Sequence, residues 1–294
     1  MKHLNTYENK SFNIKPMTSY ITEYIIKKKL DNPIDSEHKY HPQTKDKLIE
    51  NIKELVNKGE TDFNCIDTSA IIDMSNLFKF LDISTTIDIS EWNVSNVTNM
   101  SKMFYDCEKI NFDISSWDVS KVENMSYMFY YCKNFKCEGL ENWDVSNVKN
   151  MEGIFDCCND INFDISRWNV SNVEDMGHMF YACRNFDYDL SNWNVSKVKD
   201  MKYMFYKCEN FTGKGLENWD VSKVEDMQDM FEDCENFDCD LSKWDVSNVL
   251  NMEYMFRKCK KLNFDLSNWN VSKVKNTYNM FYGCNNLKNI PSWY

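Results

Sequence analysis

Twelve cysteines, four histidines and 46 acidic side chains are the groups in this 294-residue chain best suited to chemistry. Eight of the cysteines fall at 107, 132, 158, 183, 208, 234, 259 and 284, one every 25 or 26 residues. Thiols in such a row invite a disulfide or a metal reading. A disulfide needs Cα atoms within about 7 Å, and helices stacked in successive units would stand roughly 8–10 Å apart. A zinc site wants paired CxxC spacings, and the adjacent Cys157 and Cys158 have no CxxC partner nearby. The spacing therefore predicts a column of buried free thiols and no metal ligands. Cys137 and Cys239 replace a phenylalanine at an inward position and read as core as well. Buried free thiols suit a reducing compartment.

The histidines (His3, His38, His41 and His178) do not cluster, and His178 reads as a solvated surface residue. No nucleophile elbow, phosphate loop or HExxH is present. No catalytic residue and no cofactor is expected, and the chain does not read as an enzyme.

Two further columns remain. Asp113, Asp164, Asp187, Asp189, Asp238, Asp240 and Asp265 alternate with apolar residues, as in "NFDISSW", and occupy the outward phase of a period-two pattern. Stacked strands about 4.8 Å apart would gather them into an acidic ladder. Such a ladder either keeps the face soluble or docks a cationic partner, with Asp187, Asp189, Asp238 and Asp240 as its centre. The second column is aromatic. Tyr105, Tyr130, Tyr181, Tyr206 and Tyr282 each follow a register phenylalanine. They either cover the seam between stacked units or form the alternative interface, with Tyr130, Tyr181 and Tyr206 at its centre.

What positions these columns is a repeat. Tryptophans at 92, 117, 143, 168, 193, 219, 244 and 269 keep the same 25- or 26-residue period. A fixed period of this length marks a repeat array whose units bury their apolar faces on one another. The longer units carry an extra residue beside a glycine, in "CEGLENW" and "GKGLENW", and those two lie 76 residues apart. A three-unit block thus reads as duplicated. Within a unit, Met100, Met103, Phe104 and Cys107 have helical spacing after Asn99, which predicts a short capped helix. Ile110, Phe112 and Ile114 alternate, which predicts a short strand. The tryptophan and the two valines of "WNVSNV" should face inward. The fold class is therefore an α/β repeat solenoid with a short parallel strand and a short helix per unit.

The N-terminal region differs. Residues 1–65 carry 11 basic and 10 acidic side chains; the remainder carry 23 and 36, so the overall charge of −12 comes from the repeats. "TKDKLIENIKELVNKG" predicts a helix with Thr44 as cap, Leu48, Ile52, Leu55 and Val56 on one face and Gly59 as stop. We expect residues 1–64 to form a helical cap region with a poorly patterned start, and "SYITEYIIKKKL" to supply a second helix. Residues 65–294 then hold about nine repeats and a C-terminal stub.

The recurring W-D-V-S-N-V-x-N-M-S-x-M-F-x-x-C resembles the 26-residue bacterial-surface repeat of BspA-like leucine-rich-repeat proteins, also known as the DUF285 repeat. The resemblance runs from about Ile66 to the C-terminus. It implies a leucine-rich-repeat-like solenoid and a role in protein interaction or adhesion, without catalysis. The functional expectation is a protein-binding scaffold whose curved, acidic concave face takes a basic protein. The alternative is a surface adhesin or structural protein of the same fold. A field of this sign disfavours nucleic acid. The chain contains no apolar run long enough for a membrane span, and its start lacks the apolar core of a signal peptide. A cytoplasmic or other reducing location is expected, with the cell surface as the alternative.

Overall fold

The computed structural model describes residues 38–79, 87–107, 113–133, 139–159, 161 and 163–294. The expected helix over 19–30, Ile110, Phe112 and Cys137 lie outside them. His38–Tyr294 form one compact unit. Its one α-helix among the described residues, α1, spans Lys45–Asn57. Thr44 caps it by accepting from the Lys47 N–H at 3.3 Å, and Gly59 follows with φ of 73°. Leu48, Ile52 and Leu55 are buried in the same core as the repeats. A parallel bridge between Tyr40 and Ile66 and a 2.6 Å hydrogen bond from Lys45 Nζ to Ser75 Oγ join this segment to the first unit. Composition changes near residue 65, but the core does not.

Beyond α1 the only helices among the described residues are two three-residue 3₁₀ turns, Leu140–Asn142 and Leu216–Asn218. The helix expected after each Asn or Asp is absent, and the backbone shows why. The N–H groups of Met100, Lys102, Phe104 and Asp106 reach the carbonyls of Asn124, Ser126, Met128 and Tyr130 in the next unit, at 2.8–3.0 Å. The intervening N–H groups of Met103, Tyr105 and Cys107 fold back three residues, to Met100, Lys102 and Phe104. Every second donor thus links units and every other one closes a turn. A turn of this kind with a left-handed third residue has positive φ there. The fifteen non-glycine residues with positive φ among the described residues all lie in two columns, one through Lys102, Tyr127 and His178 and one through Asp106, Tyr131 and Ala182. Gly153 and Gly283 occupy the same columns.

The parallel contacts also sit elsewhere than expected. They run through the supposed cap residues: Asp73, Asn99, Asn124, Asn150, Asp175, Asp200, Asp226, Asn251 and Asn276, each bridged to the next. Their side chains accept from the N–H two residues on, as Asn99 does from Ser101 at 3.0 Å. The alternating segment after each cysteine forms no extended strand among the described residues; a single bridge, Asp62 to Asp88, marks it in the first units.

The inward assignments correspond to buried positions. Trp117, Val119, Val122, Met125, Met128 and Phe129 are all buried, and so are their equivalents in the neighbouring units. The register phenylalanines form a continuous stack, Phe104 on Phe129 at 5.6 Å and so on from Phe78 to Phe281. Each tryptophan donates Nε1–H to a carbonyl in the preceding unit, Trp193 to Ile165 at 3.1 Å for example. In the longer units, Gly139 and Gly215 have φ of 99° and 92°, and a Cβ on either would stand 2.2 Å from a serine of the unit before. Only glycine admits the extra residue there.

Candidate interaction face

Units joined through backbone hydrogen bonds bring cysteines closer than stacked helices would, so spacing does not rule out pairing between them. What occupies the thiols is a carbonyl: Cys183 Sγ donates to Phe155 O at 3.1 Å, Cys208 to Phe180 and Cys234 to Phe205. Seven register cysteines are buried and Cys107 is half-buried. Burial pushes the buried thiols well above their usual range, so they stay protonated and inert as nucleophiles.

The acidic column is built differently from a strand ladder. Asp113, Asp164, Asp189, Asp240 and Asp265 each accept from the N–H of the serine two residues on, at 2.8–3.0 Å, and so fix the turn that leads to the tryptophan. Gly139 and Gly215 stand in the same register, so the column is broken at two places. Asp187 accepts from Thr212 N–H and Oγ1 of the next unit, at 2.9 and 2.8 Å. Asp189 pairs with Lys214 at 2.8 Å, which holds its carboxyl down at about 2. Asp238 is exposed beside Asp240. Of these four, Asp189 and Asp240 form such turns, and Asp187 and Asp189 are already partnered.

The tyrosine column is built of stacked pairs. Tyr105 stacks on Tyr130 at 4.3 Å and Tyr181 on Tyr206 at 4.5 Å, all four rings half-buried. The left-handed turn positions project a second aromatic row beside it: Tyr127 edge-on to Tyr130 at 6.0 Å, and His178 stacked on Tyr203 at 4.7 Å. His178 is not the solvated residue its position suggested. It is packed among these rings, and burial lowers its pKa. Lysines stand over the outer faces, Lys79 over Tyr105, Lys102 over Tyr127 and Lys207 over Tyr206, within 5.4 Å of the ring centres.

Three charged residues interrupt the column, and none was singled out from the sequence. Asp156 lies between Tyr130 and Tyr181 in column order, Glu232 follows Tyr206, and Arg257 follows Glu232. Glu232 is buried and ion-paired with the Arg257 guanidinium, which in turn stands 5.3 Å from the Tyr254 ring and 5.7 Å from that of Tyr282. Burial and the neighbouring Asp229 push the Glu232 carboxyl up, and Arg257 opposes them. Asp156 is buried too, with Oδ1 lacking any hydrogen-bond partner. Its Oδ2 lies 3.8 Å from His178 Nδ1. Desolvation raises the Asp156 pKa to about 7. The signal that could have found these residues is the 76-residue frame, which aligns Asp156 with Glu232 and Tyr181 with Arg257.

A family model described as "Mycoplasma protein of unknown function, DUF285" matches residues 47–139, 132–215 and 205–294 in succession. No curated protein matches the chain, and no solved structure does. Among the described residues no helix is long and apolar enough to cross a membrane.

Proposed function

Because the chain belongs to the DUF285 family, whose description carries no activity, we propose its function from its surface: a non-catalytic scaffold that binds a protein partner through the tyrosine face. We read the stack as a solenoid of the leucine-rich-repeat-like kind, with turns in place of the helix of each coil. A parallel bridge from each Asn or Asp of the ladder, Asp73 to Asn276, to the next and a core shared from Leu48 to Cys284 support that reading. The observation that carries the function is the two-row aromatic surface, stacked at 4.3–4.7 Å and left half-exposed. Half-exposed tyrosines offer contact area at low entropic cost, since their neighbours already fix the rings. A net charge of −12 favours encounter with a basic protein.

A second reading keeps the acidic column as the interface. Its support is that Asp113, Asp164, Asp238, Asp240 and Asp265 are exposed. The two separate cleanly. A partner is captured by cross-linking from native cells and identified, then titrated against two variants. One carries Tyr130→Ser, Tyr181→Ser and Tyr206→Ser; the other carries Asp187, Asp189, Asp238 and Asp240 changed to Asn. We expect loss of binding in the first and a wild-type affinity, with a flatter salt dependence, in the second. Loss in the second alone overturns the tyrosine face in favour of the acidic one.

A further inference from the structure

The duplicated block offers a comparison inside one molecule. In its second copy the buried carboxylate of the tyrosine column, Glu232, is met by the guanidinium of Arg257 from the next unit, with tyrosine rings on that guanidinium. In the first copy the carboxylate is Asp156 and the residue at the arginine's place is Tyr181. The acid is retained and its cation is not. Asp156 is as buried as Glu232, with 7 % of its side chain exposed against 5 %. A buried carboxylate with an open lone pair is costly, and cores do not usually carry one without a partner. His178 does not supply the charge, since 3.8 Å is outside hydrogen-bond range and burial favours its neutral form.

We propose that Asp156 is the seat for an arginine of the partner protein, whose guanidinium enters between Tyr130 and Tyr181 and pairs with the carboxyl as Arg257 pairs with Glu232. The planar guanidinium fits this place better than an ammonium, because it can bond a carboxylate while lying against an aromatic ring. Tyr206 and Tyr282, the rings beyond Tyr181 and Arg257 in the two copies, occupy matching positions. This proposal rests on the tyrosine face being the docking face.

The test uses the full chain and three probes: an acetyl-Gly-Arg-Gly amide tripeptide, its lysine counterpart and its neutral citrulline counterpart. Heteronuclear NMR should show saturable shifts at Tyr130, Asp156 and Tyr181 with the arginine peptide. The citrulline peptide, and the arginine peptide on Asp156→Asn, should bind at least about tenfold more weakly, the factor expected for a charge-assisted bond. Equal binding of arginine and citrulline, equal binding of arginine and lysine, or undiminished binding by Asp156→Asn each overturns the proposal. An intramolecular version keeps the question independent of weak peptide binding. Tyr181→Arg should raise the melting temperature more in the wild-type background than in Asp156→Asn; additivity of the two changes overturns the seat. The two readings fail separately. A captured partner lost with the tyrosine variant but indifferent to Asp156→Asn leaves the face and overturns the arginine seat. A partner indifferent to the tyrosine variant overturns the face, whatever the peptides do.

Discussion

Cys183 shares its thiol proton with the Phe155 carbonyl of the preceding unit, and that bond decides what a substitution does. On sequence alone a serine there would be a buried hydroxyl without a partner. With the carbonyl in place, Cys183→Ser keeps a donor, while Cys183→Ala removes it and leaves the Phe155 carbonyl to the Cys158 N–H alone. We expect Ala to cost about 0.5–1.5 kcal/mol for the lost bond and Ser less, by urea unfolding. Alkylation of native protein should spare Cys183, Cys208 and Cys234 and label them only after denaturation. Labelling of all three in the native state would contradict their burial. Asp156 gives a second residue-scale test. Its folded pKa, about 7, is above the ordinary carboxylate value, so the folded state holds the proton more tightly. Its contribution to stability is therefore full below about pH 4 and is lost as pH rises towards 7. Glu152, Cys157 and His178 surround the same carboxyl, so the comparison is with Asp156→Asn. The variant should gain on the wild type steadily between pH 4 and 8; parallel pH profiles would sink this assignment. The residue scale was only half legible. The burial of Trp, Val, Met and Phe followed from their phase, whereas the burial of Asp156 and Glu232 followed from a duplicated frame that periodicity does not single out.

At the scale of the element, α1 was readable because every helix signal agreed: a threonine cap, one apolar face and a glycine stop. The coil between Asn99 and Cys107 was not. Two successive turns place residues i, i+3, i+4 and i+7 inward as a helix does, so the apolar pattern is the same for both. What separates them is the sign of φ at Lys102 and Asp106, and the residues in those columns, from Tyr127 to Ala182, do not announce it as glycine would. This backbone has a measurable cost, because a left-handed residue with a Cβ is disfavoured by roughly 1–2 kcal/mol. Ala182, with φ of 55°, makes no side-chain contribution that would offset it. Ala182→Gly should stabilise the protein by about 0.5–1 kcal/mol and Ala182→Val should destabilise it. A helix at this position would give the opposite order for glycine, so the same denaturation curves decide between coil and helix.

For the whole molecule, the period of the tryptophans matches the spacing at which successive units bridge one another, and the burial of the unit's interior followed its phase. The division of the core did not, because Leu48, Ile52 and Leu55 of α1 share it with Met74 and Phe78 of the first unit. Removing residues 1–64 should uncover that apolar edge and give a product that aggregates in light scattering. A monomer with an unchanged melting temperature would show that the first coil needs no cover.

The bonds between coils have a mechanical meaning. Each coil is held by the carbonyls of the next and returns its tryptophan Nε1–H and cysteine Sγ to the one before. Among the described residues no bond in these ladders skips a coil. Load applied to the two ends of residues 38–294 is therefore carried in series by nearly identical junctions, and the least covered is the last of these, where Tyr278, Tyr282 and Ile290 are at least 60 % exposed. Pulled in an optical trap, the protein should yield from its C-terminal end, one coil at a time. Each rupture would release 25 or 26 residues, a lengthening of about 85 Å, so that the molecule behaves less as a single folded body than as a spring that pays out in equal increments.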